Sequence, residues 1–336
     1  MSWFKKQQFE SGALLDTRSP EEQAKDFKFE EIVASANPVI WTAKTWGEVR
    51  QFPIFNQNGS GSCVAQTMAK LLGVLYWLKN GLYVHFSATH VYQRRSNKPN
   101  GGMAGVNALD IAREGVTLEA LVPSQAMTDT QMDGIKIEPY KDEVGKIFKI
   151  GNYVVLPTAD IETVASTIQT TGKAVMVWFY FKIDEWKKET PVIKYSLTPT
   201  SSGVARHSVT AVDYLMSGGK KALVIEDSWG VDTGNGGRRI ITEDFFNKRN
   251  FFAAYPICFK FEEGSTAKPK YTGSTVSLQD VLKFEGFFPT NVESTGNWYS
   301  VTDKAVQGFC TKYAIVFQAG RQLWSALDAK LKELYG

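Results

Sequence analysis

Three thiols and three imidazoles are all this chain offers for nucleophilic chemistry: Cys63, Cys258 and Cys310, with His85, His90 and His207. A cysteine attacks as a thiolate, which requires surroundings that lower its pKa. Cys63 stands in Gln57-Asn58-Gly59-Ser60-Gly61-Ser62-Cys63-Val64-Ala65, where small residues lead directly into an apolar stretch. The cysteine therefore falls in the first turn of a helix, where the macrodipole and unpaired N–H groups favour negative charge. The Cys63 N–H and the Gln57 amide are nearby donors for an oxyanion. Cys258, in the apolar run Ala253 to Phe261, and Cys310, on a helical pattern, read as core residues. So sparse and odd a set of cysteines is neither a disulfide framework nor a zinc site, and no metal or cofactor is expected.

A thiolate of this kind needs a base. His207 begins the strand-like run Arg206-His207-Ser208-Val209-Thr210-Ala211-Val212, and a second run ends Ile225-Glu226-Asp227-Ser228-Trp229-Gly230. Two adjacent strands set Asp227 beside His207, where a carboxylate fixes the tautomer and favours the imidazolium. Nucleophile, base and orienting group make up the logic of triad enzymes. His85 and His90 have no carboxylate in pairing register and read as structural.

In this order the residues resemble the papain family of cysteine peptidases. Gln57 to Cys63 is similar to that family's signature, in which a glutamine precedes the catalytic cysteine by six residues. His207 resembles its catalytic histidine, and Asp227-Ser228-Trp229-Gly230 its Asn-Ser-Trp-Gly. Asn100-Gly101-Gly102 resembles its substrate-binding Asn-Gly-Gly, whose backbone pairs with the peptide. The resemblance covers roughly residues 38–261. It implies an α+β fold of two lobes, one helical and one β-rich, with the site in the cleft between them. It further implies amide hydrolysis with Cys63, His207, Asp227 and Gln57 as the catalytic set. Asn100, Gly101 and Gly102 would lie along the substrate, and Trp229 would pack over the His–Asp pair. Ser60 and Pro99 stand where the family carries a disulfide, and Val64 where it has Trp. Asp227 replaces asparagine; a carboxylate is expected to do the same orienting job, and an amide to serve in its place. With fewer than 40 residues before the matching region, activation by removal of a long inhibitory segment is not expected.

The elements that must position these residues are legible as periodicities. Val64, Met68, Leu71, Leu72, Leu75 and Leu78 mark a buried helix from Cys63 to Lys79, stopped by Asn80-Gly81. Thr158 is expected to cap a helix carrying Ile161, Val164 and Ile168 and ending at Gly172. Ala174 to Phe181, Ser208 to Tyr214 and Lys221 to Ser228 read as strands, with Met216-Ser217-Gly218-Gly219 turning between the last two. Residues 1–37 read as an N-terminal arm, with a helix start at Ser19-Pro20-Glu21-Glu22. Residues 38–263 form the main domain, and 264–274, rich in Gly, Ser, Thr and Pro, an interdomain linker. Residues 275–336 remain as a small helical module. Leu278-Gln279, Gly286-Phe287, Thr295-Gly296-Asn297-Trp298 and Ala305-Val306-Gln307-Gly308-Phe309, with a last helix from Ala319 to Gly336, resemble the three-helix peptidoglycan-binding-like domain. That resemblance implies cell-wall peptidoglycan, or a protein docking partner, as its ligand.

Composition excludes several other classes. Of 336 residues 43% are hydrophobic and 22% charged, enough for a packed core and too mixed for disorder. The net charge of +3 comes from 38 basic and 35 acidic residues well interspersed, so nucleic acid is not an expected partner. No run of about 18 apolar residues exists to span a membrane, and no apolar segment follows Met1-Ser2-Trp3-Phe4-Lys5-Lys6 to make a signal peptide. The expected function is a cysteine peptidase acting on peptide or protein, with the wall-directed module at its C-terminus. A phage virion or wall-associated docking protein, and an endopeptidase for peptidoglycan stem peptides, are the alternatives. The chain is expected to be cytoplasmic at synthesis, then virion-associated or released to the wall.

Overall fold

A buried helix and a twisted sheet need each other's apolar faces, and this pairing organises the chain. The computed structural model describes residues 12–23, 27–28, 38–260, 268–288, 294–298, 300–320 and 322–336. Most of the expected arm, the start of the expected linker (264–267), and Pro289 and Tyr299 lie outside the described residues. In order, the helices are α1 Pro20–Gln23, α2 Cys63–Asn80, α3 Ala88–Tyr92, α4 Gly105–Glu114, α5 Asp129–Gly134, α6 Pro139–Ile147, α7 Ile161–Thr171, α8 Ile183–Trp186, α9 Glu243–Arg249, α10 Thr275–Phe284, α11 Ser300–Lys312 and α12 Ser325–Tyr335. The strands are β1 Ala13–Leu14, β2 Phe27–Lys28, β3 Met103–Ala104, β4 Tyr153–Val155, β5 Val175–Phe181, β6 Ala205–Ser217, β7 Lys220–Glu226, β8 Arg238–Thr242 and β9 Asn250–Pro256.

The large sheet has the order β2-β4-β9-β5-β6-β7-β8. Its pairings are antiparallel except β2 with β4, which is parallel. Strand β5 shows why it sits centrally. Met176 and Trp178 face one core with the Cys63 helix, while Val175, Val177, Phe179 and Phe181 face a second core with Ile161, Val164 and Ile168 of α7 and Phe245 and Phe246 of α9. A strand apolar on both faces has to be covered on both. Helix α2 is buried from Cys63 through Leu75 and stops where Gly81, at φ 68°, turns left-handed and donates its N–H to the Trp77 carbonyl. The helices α2 to α6 form one lobe and the sheet with α7 and α9 the other.

Local signals misplace some boundaries. Asp160, not Thr158, caps α7, accepting from Thr163 N at 3.2 Å. Strand β7 ends at Glu226, so Asp227 and Ser228 leave the ladder. The last helix begins at Ser325 rather than Ala319, because Gly320 takes φ 148° and Trp324 is extended. Helices α10, α11 and α12 enclose a separate core around Leu278, Leu282, Phe309, Leu327 and Leu331.

Two polar ties fix α2 against the strands. Thr67 donates its hydroxyl to the Cys63 carbonyl at 2.9 Å and accepts one from Ser208 of β6 at 3.0 Å. Lys70 lies 2.8 Å from Glu226 Oε2, both out of solvent. Glu226 Oε1 accepts from Phe52 N at 2.7 Å and Arg238 Nε at 3.2 Å. A buried ion pair persists only when its remaining lone pairs are met, as they are here.

Candidate active site

Cys63 is the first residue of α2, behind Ser62, whose side chain makes no capping bond. The helix terminus therefore keeps its free N–H groups at the cysteine. The loop before it turns through left-handed Asn58 (φ 48°) and Gly59 (φ 73°). Gln57 is buried and joins the two lobes. Its N–H donates to the Ser228 carbonyl at 2.8 Å, and its Oε1 accepts from Ser228 Oγ at 2.6 Å. Its Nε2 donates to the Ser60 carbonyl, so one of its two amide hydrogens is committed within the loop.

The second half of the site comes from the sheet. His207 lies early in β6, and Asp227 follows β7 by one residue. The β6–β7 register pairs Thr210 with Glu226, which brings the two within reach. His207 Nε2 sits 2.7 Å from Asp227 Oδ1. Its Nδ1 makes no hydrogen bond among the described residues, and the Cys63 thiol interacts with the ring. Trp229 stacks on the imidazole with centroids 4.5 Å apart, and Trp186 meets it edge-on at 6.2 Å. Burial works against the imidazolium, but the Asp227 carboxylate and then Cys63 outweigh it and raise the His207 pKa to about 9. Burial would lift Asp227 too, yet His207, Arg239 and Trp186 hold it far below the carboxylate range. A buried histidine held protonated by a carboxylate, beside a thiol at a helix N-terminus, can stabilise a thiolate and return a proton to a leaving group.

Asn100 and Gly101 are exposed and Gly102 is buried, its N–H donating to the Tyr92 hydroxyl at 3.1 Å. The segment that continues from them is already paired. Strand β1 runs parallel to β3, with Ala13 opposite Met103 and Leu14 opposite Ala104, and Met103 N donates to the Gly12 carbonyl at 2.8 Å. Gly12 lies so close to the nucleophile candidate that a Cβ there would stand 2.9 Å from Cys63 Sγ and 2.1 Å from the Gly61 carbonyl oxygen. Part of the N-terminal arm thus lies across the Cys63 site. The described contact consists of backbone offered to β3 and a glycine at the thiol.

Other sequence expectations fare differently. His90 does find a carboxylate: Asp142 of α6 lies 2.8 Å from its Nε2, a long-range contact that strand register could not reveal. Burial, and then Arg94, lower its pKa to about 4, and its other ring nitrogen, Nδ1, accepts from Thr117 N at 3.4 Å. Cys258 and Cys310 are buried in the cores, and burial raises the Cys310 pKa. No cluster suited to a metal ion occurs among the described residues. Sequence reasoning missed Trp186, Arg239 and Gly12. The only local hint of Arg239 is the second charge heading the strand Arg238-Arg239-Ile240-Ile241, where an inward arginine demands a buried partner.

Residues 41–249 match the papain family cysteine protease family. Among curated proteins, papaya proteinase 4 and caricain, both from Carica papaya, are 25% and 24% identical to this chain over 233 and 230 residues, or 67% and 66% of it. The match spans 61% and 60% of those relatives' own lengths. Xylellain, a cysteine protease from Xylella fastidiosa, superposes with a TM-score of 0.60 at 14% identity, covering 76% of this chain and 98% of its own. Digestive procathepsin L 3 of Tenebrio molitor gives 0.54 at 17% identity, covering 74% and 76%. These solved structures share the two-lobed fold.

Two outcomes follow from the geometry. Gly12→Val forces the arm off Gly61 and Cys63; overpacking costs about 1–3 kcal/mol, so Cys63 should be alkylated by iodoacetamide ~5–150-fold faster. An unchanged rate would show that the arm does not shield the thiol. For His207, the folded pKa of about 9 lies above the ordinary 6.5. Its contribution to stability is complete below pH 6.5 and fades as pH rises through 9. The urea midpoint should therefore fall over that window, and His207→Gln should flatten the fall.

Proposed function

Because the chain belongs to the papain family of cysteine proteases, we propose that it is a cysteine peptidase working through a Cys63–His207–Asp227 triad. The observation that carries this reading is the buried His207–Asp227 pair with one ring nitrogen left without a hydrogen bond beside a thiol at a helix N-terminus. The Cys63 sulfur attacks the substrate carbonyl and forms a tetrahedral oxyanion. The Cys63 N–H and the uncommitted Gln57 amide hydrogen accommodate that charge. His207 passes its proton to the departing amine as the C–N bond breaks, leaving a thioester. Water then loses a proton to His207, attacks the thioester and releases the acid and the thiolate. Backbone of the substrate pairs along Gly102 to Ala104, the place β1 holds in the structure, so the arm must leave before a peptide can bind. Trp229 keeps water off the His–Asp pair.

Residues 275–336 serve as a targeting module for cell-wall peptidoglycan, a reading that rests on their sequence resemblance and on the separate core of α10, α11 and α12. Such tethering raises the local concentration of substrate without altering the chemistry. The substrate is then a protein or stem peptide of the wall, reached after the chain's release there.

Two experiments test these claims. Full-length protein relieved of residues 1–16 should hydrolyse fluorogenic peptides, Cys63→Ala should abolish this with the fold intact, and a thiol-directed epoxide should label Cys63 and spare Cys258 and Cys310. Equal labelling of all three in the folded protein, or turnover by Cys63→Ala, would sink the peptidase reading. For targeting, the full chain should pellet with purified peptidoglycan and a protein ending at Glu263 should not. Equal pelleting would make residues 275–336 a protein-docking unit.

A further inference from the structure

The orienting carboxylate meets only donors. Asp227 Oδ1 accepts from His207 Nε2 at 2.7 Å and from the Ser228 N–H at 2.7 Å. Its Oδ2 accepts from Trp186 Nε1 at 3.0 Å and from Arg239 Nε at 3.0 Å. An indole N–H, a backbone amide and a guanidinium have no acceptor to offer in exchange. Arg239 is itself fixed: it is 1% exposed, donates Nη1 to the Lys188 carbonyl at 2.8 Å, and lies 5.2 Å from the Trp186 ring.

An asparagine in place of Asp227 fails in either orientation. With its oxygen toward His207, its NH₂ confronts the Trp186 N–H and a guanidinium that has lost its counter-charge. With its oxygen toward Arg239, its NH₂ faces the Ser228 N–H and requires His207 Nε2 to be unprotonated. The ring proton then sits on Nδ1, the nitrogen that must accept one.

Taking the peptidase reading as given, we infer that Arg239, seconded by Trp186, is a positioning residue that makes this triad specific for a carboxylate. It holds the second oxygen of Asp227 and balances its charge, so Asp227 and Arg239 exchange for neutral residues only together. The balance also matters for turnover. Asp227 and Cys63 both favour the imidazolium of His207, and Arg239 acts on it through its bond to Asp227. Without Arg239 the imidazolium is held more tightly, and His207 becomes a poorer base for the water that attacks the thioester.

The test compares Asp227→Asn, Arg239→Gln and the double variant with their parent, all relieved of residues 1–16 as in the peptide assay, by kcat/KM against pH, urea melts and imidazole NMR. With three histidines in the chain, the His207 signal can be assigned by substitution. Asp227→Asn, leaving a buried charge and donors unpaired, should lose about 10- to 100-fold in kcat/KM and unfold at lower urea. Arg239→Gln alone should raise the pH at which His207 titrates and increase acyl-enzyme accumulation in a burst assay. The double variant should recover most of the loss, because the introduced glutamine carbonyl gives the introduced asparagine amide an acceptor. Asp227→Asn as active as the parent, or losses that simply add, would overturn the inference. Should Asp227→Asn fail to fold, rescue of folding by Arg239→Gln supports the inference and continued unfolding overturns it. A parent that turns over no peptide removes the peptidase reading, and the additivity of the melts and the His207 titration then decide the inference alone.

Discussion

Asp227 is a carboxylate removed from water, and a charge in that position must find a donor for every lone pair it presents. It draws them from four segments: His207 from β6, the Ser228 amide from the turn after β7, Trp186 from α8 and Arg239 from β8. Only Ser228 is Asp227's neighbour in the chain; the other three lie 12, 20 and 41 residues away, so the site exists only when β6, β7 and β8 are in register and α8 has folded over them. The aromatic packing completes the enclosure: Phe181 stacks on Trp186 with centroids 4.3 Å apart, and Trp229 covers the imidazole. A local dielectric this low strengthens each of these bonds, and makes any unmatched partner costly.

The nucleophile candidate belongs to the other lobe, and its alignment depends on how firmly α2 is held to the sheet. Apolar packing resists sliding only weakly, because one methyl contact resembles the next. The polar ties do not share that tolerance. Thr67 links the Cys63 carbonyl to Ser208, the neighbour of His207, and Gln57 links the loop before Cys63 to Ser228, the neighbour of Asp227. Lys70 and Glu226 add a third tie one residue from Asp227. Each of these three ties lands on Cys63 or beside Cys63, His207 or Asp227, so the relative placement of those residues is fixed by them.

The same cleft is closed by the chain's own arm. β1 gives β3 the backbone hydrogen bonds that an extended peptide would give it, and Gly12 fits over the thiol because it has no side chain.

Much of this architecture was written locally. The turn from Gln57 to Cys63, the apolar stripe of α2, the left-handed stop at Gly81 and the unbroken apolar run of β5 depend on residues within a few positions of one another, and the sequence alone supplied them. It also supplied the order of Cys63, His207 and Asp227, and with it the family. Strand length and the start of α12 were less legible, since β6 continues for as long as β5 and β7 give it partners, and α12 begins only after Gly320 and Trp324. Three features belonged to tertiary structure alone: the carboxylate on His90, the arm over Cys63, and Arg239 with Trp186 on Asp227. By itself, the sequence determined which groups could react and which elements would carry them. Only the fold decided which charges share a desolvated site, because Coulomb energy and desolvation depend on distances in space that separation along the chain does not encode.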